Sequence, residues 1–184
     1  MDAQLARVRQ ELEAATEAMR RLVASVSDEA WARRPAAGGW SVAQCVMHLN
    51  TTTQEFLPRL DTAIREGREK GLTGAGLFRR DFAGWMLCKF VEPPYRMKVK
   101  TPAKFDPQEV VSREEALAEW ERWQGELFTR VAAADGLALD KVKVVSPFAE
   151  KMKYNLLSAL MVIPAHQRRH IWQAGQMAKT LGTR

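Results

Sequence analysis

Residues 3–26 read AQLARVRQELEAATEAMRRLVASV, and in them Leu5, Val8, Leu12, Ala15, Met19, Leu22 and Val26 recur at alternating intervals of three and four. That spacing places every apolar side chain on one stripe of a helix, which buries the stripe against neighbouring helices. The first long helix is predicted over 3–25. After it, Ser27 caps a short turn through Trp31, and Arg33-Arg34-Pro35 with Gly38-Gly39 breaks the chain.

The next helix opens with Ser41-Val42-Ala43-Gln44, a capping box in which the Ser hydroxyl and the Gln side chain each satisfy a backbone N–H that has no partner within the helix. Trp40 stands just before the cap, where it can pack on Cys45 as a hydrophobic staple. This second long helix is predicted to reach about Leu57, where Pro58 kinks or interrupts it, and to continue to about Lys70 before Gly71 and Gly74. A second capping box, Ser112-Arg113-Glu114-Glu115, starts a third helix over roughly 113–134, with Leu117, Trp120, Gln124, Leu127 and Val131 at helical spacing. Asn155 caps the last helix, which runs to about Leu181 with Ala159, Ile163, His166, His170, Gln173 and Met177 in one stripe and Pro164 in its middle.

Between the second and third helices, residues 71–111 are the least regular part. A short aromatic helix fits within 77–91, while Pro93, Pro94, Pro102 and Pro107 make the remainder extended. Four long helices with one long connection describe an all-α four-helix bundle with a crossover between the second and third helices. Only Lys141 to Val145 hints at strand alternation. Neither side of the crossover holds a complete core, so residues 1–184 are expected to form one domain.

Composition narrows the function. With 184 residues and 46% hydrophobic content, the chain can bury a full core without disulfides or a structural metal. Its two cysteines, Cys45 and Cys88, lack the CxxC spacing of zinc ribbons and redox sites and read as reduced core thiols. The longest apolar run, Leu156 to Ala165, is about half of a membrane span, and the first residues lack a secretory pattern. A cytoplasmic protein without a membrane partner is the expectation. The net charge of +6 invites a nucleic-acid partner, but basic residues concentrate only at Arg96, Lys98, Lys100, Lys104 and at Lys141, Lys143, Lys151, Lys153, with no recognised binding motif around them. That pattern argues against nucleic acid.

The chain's three histidines carry the chemistry. His166 and His170 sit one turn apart on one helix face, close enough to share a metal ion, and His48 lies on the inward stripe of the second helix. If those helices are neighbours, the three converge and leave a coordination position open for water or substrate, as catalytic sites do. The competing reading is three neutral core histidines satisfied by hydrogen bonds.

Gly38-Gly39-Trp40-Ser41-Val42-Ala43-Gln44 followed by His48-Leu49, with Arg34-Pro35 before it, Thr101-Pro102 in the crossover and His166-Gln167-Arg168-Arg169-His170 near the end, resembles the DinB/YfiT superfamily. The resemblance covers nearly the whole chain. It implies an up-down-down-up bundle with a divalent metal, Zn, Ni, Mn or Fe, held by His48, His166 and His170. It also implies an enzyme acting on a small molecule. A thiol-dependent S-transferase using a low-molecular-weight thiol such as bacillithiol, mycothiol or glutathione is the first expectation. A metal-dependent hydrolase and a non-catalytic stress-response or ligand-binding bundle are the alternatives, and homodimerisation is a habit of the family.

Other positions attach to this site by helical spacing. Cys45, Thr52 and Glu55 lie on the second helix within two turns of His48, and Gln173 lies one turn beyond His170, so each is a candidate for the pocket or for supporting a ligand. The plainer readings dominate: Cys45 as a small core residue, Gln44 as occupied by capping, and Glu55 as meeting solvent or Arg59. Arg168 and Arg169 are candidates for attracting substrate carboxylates, against a solvated helix face. Trp85 with Phe82 and Phe90 is expected to form a lid or an oligomer contact.

Overall fold

A computed structural model describes residues 1–36, 38–93, 101–107, 110–149 and 151–181. The four long helices stand where the periodicity puts them: α1 (Ala3–Ser25), α3 (Val42–Glu69), α5 (Arg113–Ala133) and α6 (Leu156–Leu181), with a short α2 (Asp28–Ala32) after the first and α4 (Phe82–Val91) in the crossover. Their starts are set by side-chain caps. Asp2 accepts from the amides of Gln4 and Leu5, Ser27 from Ala30, and Asp81 from Gly84, while Ser41–Gln44 and Ser112–Glu115 form the two reciprocal boxes. Asn155 Oδ1 accepts the Ser158 amide at 2.9 Å and so caps α6.

The helices pack in a ring in which α1 touches α5 and α6, and α3 touches the same two. Direction follows from cross-helix pairs. Arg20 meets Glu121 and Arg9 covers the Phe128 ring, so α1 and α5 are antiparallel. Asn50 donates to the Ala116 carbonyl and Arg130 forks onto Asp61, so α3 and α5 run together. Leu5, Val8 and Leu12 share one core cluster with Leu156, Leu160 and Ile163, whereas Met19 and Val23 share a second with Ala174 and Ala178, which makes α1 and α6 parallel. The result is up-down-down-up, as the resemblance implies.

Neither proline interrupts its helix: α3 passes through Pro58 and α6 through Pro164. A helix proline removes one backbone hydrogen bond, and here buried neighbours on both sides, Leu57 and Leu60 for one and Ile163 and Ala165 for the other, offset that loss. Strand content exceeds the hint at 141–145. β1 (Lys143–Val145) pairs antiparallel with β2 (Lys153–Asn155), Val144 opposite Tyr154.

The aromatic segment forms α4, which packs on α6 and β2 through Gly84, Cys88 and Val91. Gly84 makes this approach possible, because a Cβ there would stand 2.1 Å from the Ser158 Cβ. The opposite face, with Phe82, Trp85, Met86 and Phe90, is exposed, and the Phe82 and Trp85 rings stack at 6.0 Å. Beyond α4, a 3-10 turn over Ala103–Phe105 settles back on α3. Among the described residues no helix is long and apolar enough to cross a membrane. Of the basic residues singled out above, Arg96, Lys98 and Lys100 lie outside the described residues, while Lys104 pairs with Glu55 and Lys143 with Asp81.

Candidate metal centre

Because α3 and α6 are antiparallel neighbours, the second turn of α3 lies beside the middle of α6, and the three histidines meet there. All are buried, between 4% and 7% exposed. His48 Nε2 lies 3.3 Å from His166 Nε2, which lies 3.1 Å from His170 Nε2. An ion held at about 2.1 Å by two tetrahedral ligands separates them by roughly 3.4 Å, so both distances are compatible with a shared ion.

The proton on His48 is placed by its surroundings. Its Nδ1 stands 2.8 Å from the Phe105 carbonyl, which only accepts, so Nδ1 carries the hydrogen and Nε2 presents a lone pair to the other two rings. His170 Nδ1 is buried with no hydrogen-bond partner of ordinary geometry among the described residues. Burial is the main cause that keeps the rings neutral. It lowers His48 to about 4, against opposing pulls from the Phe105 carbonyl and Asp106, and it lowers His166 and His170 well below the usual histidine range. The neighbouring imidazoles and the positive charge of Arg169 push the same way. Neutral, buried, converging nitrogens fit a divalent cation: it would satisfy lone pairs that the rings cannot all satisfy for one another.

Aromatic rings wall this cluster. Trp40 lies 4.6 Å from the His48 ring and 5.6 Å from His170, Phe148 lies 5.5 Å from His166, and Phe105 packs against both His48 and Phe148. Trp40 packs on the core cluster that contains Cys45, as a staple does, but its place over the imidazoles is an addition that spacing did not reveal. Its indole N–H donates to Asp106.

The candidate supporting residues divide. Cys45 is fully buried in the core, and burial pushes its thiol up to about 12, which disfavours the thiolate that a nucleophile needs. Thr52 turns its hydroxyl back onto the His48 carbonyl at 2.6 Å. Glu55 pairs with Arg59 at 3.0 Å and Lys104 at 3.4 Å. Gln173 does stand beside His170, where it opposes the downward shift of that ring. Arg168 is taken by Glu11 and Glu92, whereas Arg169 donates to the Phe90 carbonyl and acts electrostatically on all three histidines. Trp172 points outward, 37% exposed. The Phe105 carbonyl and Phe148 escaped sequence reasoning altogether. A backbone carbonyl has no signature, and Phe148 reaches the site only through the loop between β1 and β2.

No curated protein and no solved structure matches the chain. A family model described as the DinB superfamily matches residues 11–174, a span from the first helix to beyond His170 that includes all three histidines. With the bundle order and the histidine cluster already in place, that match completes the assignment: the chain belongs to the DinB superfamily.

Proposed function

We propose that this protein binds a divalent metal ion through His48, His166 and His170 and works as a thiol-dependent S-transferase on a small molecule. The observation that carries the reading is the convergence of three neutral imidazole Nε2 atoms in a buried site. Of the candidate ions Zn, Ni, Mn and Fe(II), imidazole ligands suit Zn, Ni and Fe(II) better than the oxygen-preferring Mn, and when bound such an ion lowers the pKa of a thiol that reaches it. The chain's own residues do the rest. Phe105 holds the proton of His48 away from the site, Arg169 favours an anionic partner such as a thiolate, and Trp40, Phe105 and Phe148 keep water from the reacting atoms. Cys45 and Cys88 are buried, so the thiol is a low-molecular-weight cosubstrate rather than a side chain.

In the same reading the chain is one cytoplasmic domain, and the exposed apolar face of α4 supports a homodimer. The test is to incubate metal-loaded protein with a model electrophile and glutathione or cysteine, beside a His166→Ala control. Metal-dependent thioether formation supports the transferase. Ester or amide cleavage without thiol consumption favours the hydrolase instead. Metal binding with neither activity leaves a ligand-binding bundle.

A further inference from the structure

Three side chains spaced by four residues, Trp40, Gln44 and His48, are met by three consecutive crossover residues. His48 Nδ1 donates to the Phe105 carbonyl at 2.8 Å, Trp40 Nε1 donates to Asp106 Oδ1 at 3.1 Å, and Gln44 Nε2 donates to the Pro107 carbonyl at 3.1 Å. We propose that Phe105, Asp106 and Pro107 form a positioning element for the histidine site, which Trp40 and Gln44 clamp in place so that His48 is locked with its proton on Nδ1 and Nε2 facing His166. The consequence for metal affinity rests on the reading of the three histidines as ligands.

The segment is built to be held. Pro102 and Pro107 restrict the backbone at either side, the Phe105 amide bonds back to the Pro102 carbonyl, and the Phe105 ring is buried against Phe148. Lys104 lies over the Phe105 ring at 4.7 Å and reaches Glu55 on α3 at 3.4 Å. A neutral imidazole can carry its proton on either nitrogen, and only the Nδ1–H form turns a lone pair toward the other rings. A carbonyl enforces that form because it cannot donate. Gln44 uses both ends of its amide, the oxygen to cap Ser41 and the nitrogen to hold Pro107, so the cap of α3 and the ligand geometry share one side chain. Gln44 acts through His48, whereas Trp40 also lies 5.6 Å from the His170 ring, a contact that a phenylalanine ring retains.

Conservative variants test the clamp apart from the fold. Trp40→Phe keeps a ring over the imidazoles and removes the donor to Asp106. Gln44→Glu keeps the capping oxygen and removes the donor to Pro107. Zn²⁺ affinity by chelator competition and the His48 tautomer by ¹⁵N NMR of the metal-free protein are the readouts. The double variant is expected to keep its helix content, bind Zn²⁺ about 10- to 100-fold more weakly, and show His48 shifted from Nδ1–H to a mixture. Affinity within twofold of the parent, with His48 still Nδ1–H, overturns the proposal. Should the double variant lose helix content, Trp40→Phe alone is measured, where a several-fold loss is expected and the parent's affinity is the contrary result. A parent that binds no Zn²⁺ removes the metal reading by itself. The tautomer then decides, since the same His48 form in parent and variant overturns the positioning role.

Discussion

His48 and His166 are 118 positions apart in the chain, and their Nε2 atoms are 3.3 Å apart in the fold. Two imidazolium ions cannot share that separation in a buried site, because each charge lacks solvent and repels the other. One shared hydrogen bond or one cation can. The pair therefore ties the junction of α3 and α6 to the protonation state of the cluster.

That tie has a pH signature in the metal-free protein. His48 titrates at about 4 in the fold, against an ordinary value of 6.5, because burial disfavours its charged form. Below 6.5 the unfolded chain takes up a proton that the folded chain refuses until about 4, so stability falls as pH drops through this window and is intact above it. The contribution is about 3 kcal/mol. Urea unfolding of the parent and of His48→Gln between pH 7 and 4 is expected to show a steeper acid loss in the parent; equal slopes would contradict it.

Gly84 sets how closely α4 approaches α6. Its missing Cβ would overlap Ser158, with contacts of 2.1 Å to Cβ and 2.2 Å to Oγ. Gly84→Ala is expected to cost roughly 2–3 kcal/mol despite the better helix propensity of alanine, as an overpacked site does. Thermal unfolding checks this, and a stability equal to the parent's would show that α4 shifts freely.

Both cysteines are expected to be silent toward a thiol reagent in the folded protein. Cys45 is fully buried and Cys88 is 5% exposed, and burial raises both thiols. Titration with an aromatic disulfide should give no fast-reacting thiol in buffer and two in denaturant. Rapid modification of Cys45 in the native state would reopen it as a site residue.

The helix ends were legible because caps and stripes are local: Ser41–Gln44 and Ser112–Glu115 announce α3 and α5 to the residue, and both boxes form. Pro164 stands mid-helix as read, and Pro58, read as a kink or an interruption, lies inside one continuous α3, since a local breaker loses to packing on both sides. Alternation over three residues, as in β1, is too short to stand out from a loop, so the β1–β2 pairing was legible only in part. At the site, His166 and His170 were legible from a single helical turn. His48 was joined to them by its place on the inward stripe and by the family resemblance, on the condition that its helix neighbours the last, which α3 and α6 meet. Thr52 and Glu55 were drawn in by spacing alone, yet a side chain one or two turns away can spend itself on its own helix, as Thr52 does on the His48 carbonyl and Glu55 on Arg59. The crossover that supplies Phe105 follows a path set by tertiary contacts, which no local pattern encodes.

His48, His166 and His170 are expected to hold one metal ion together. Elemental analysis of untagged protein after incubation with Zn²⁺ and gel filtration, beside His48→Ala, His166→Ala and His170→Ala, tests it most directly. Close to one ion per chain is expected in the parent, with loss of that ion in each variant and helical content retained. No bound ion after exposure to Zn, Ni, Mn and Fe(II), or an ion that survives all three substitutions, would contradict it.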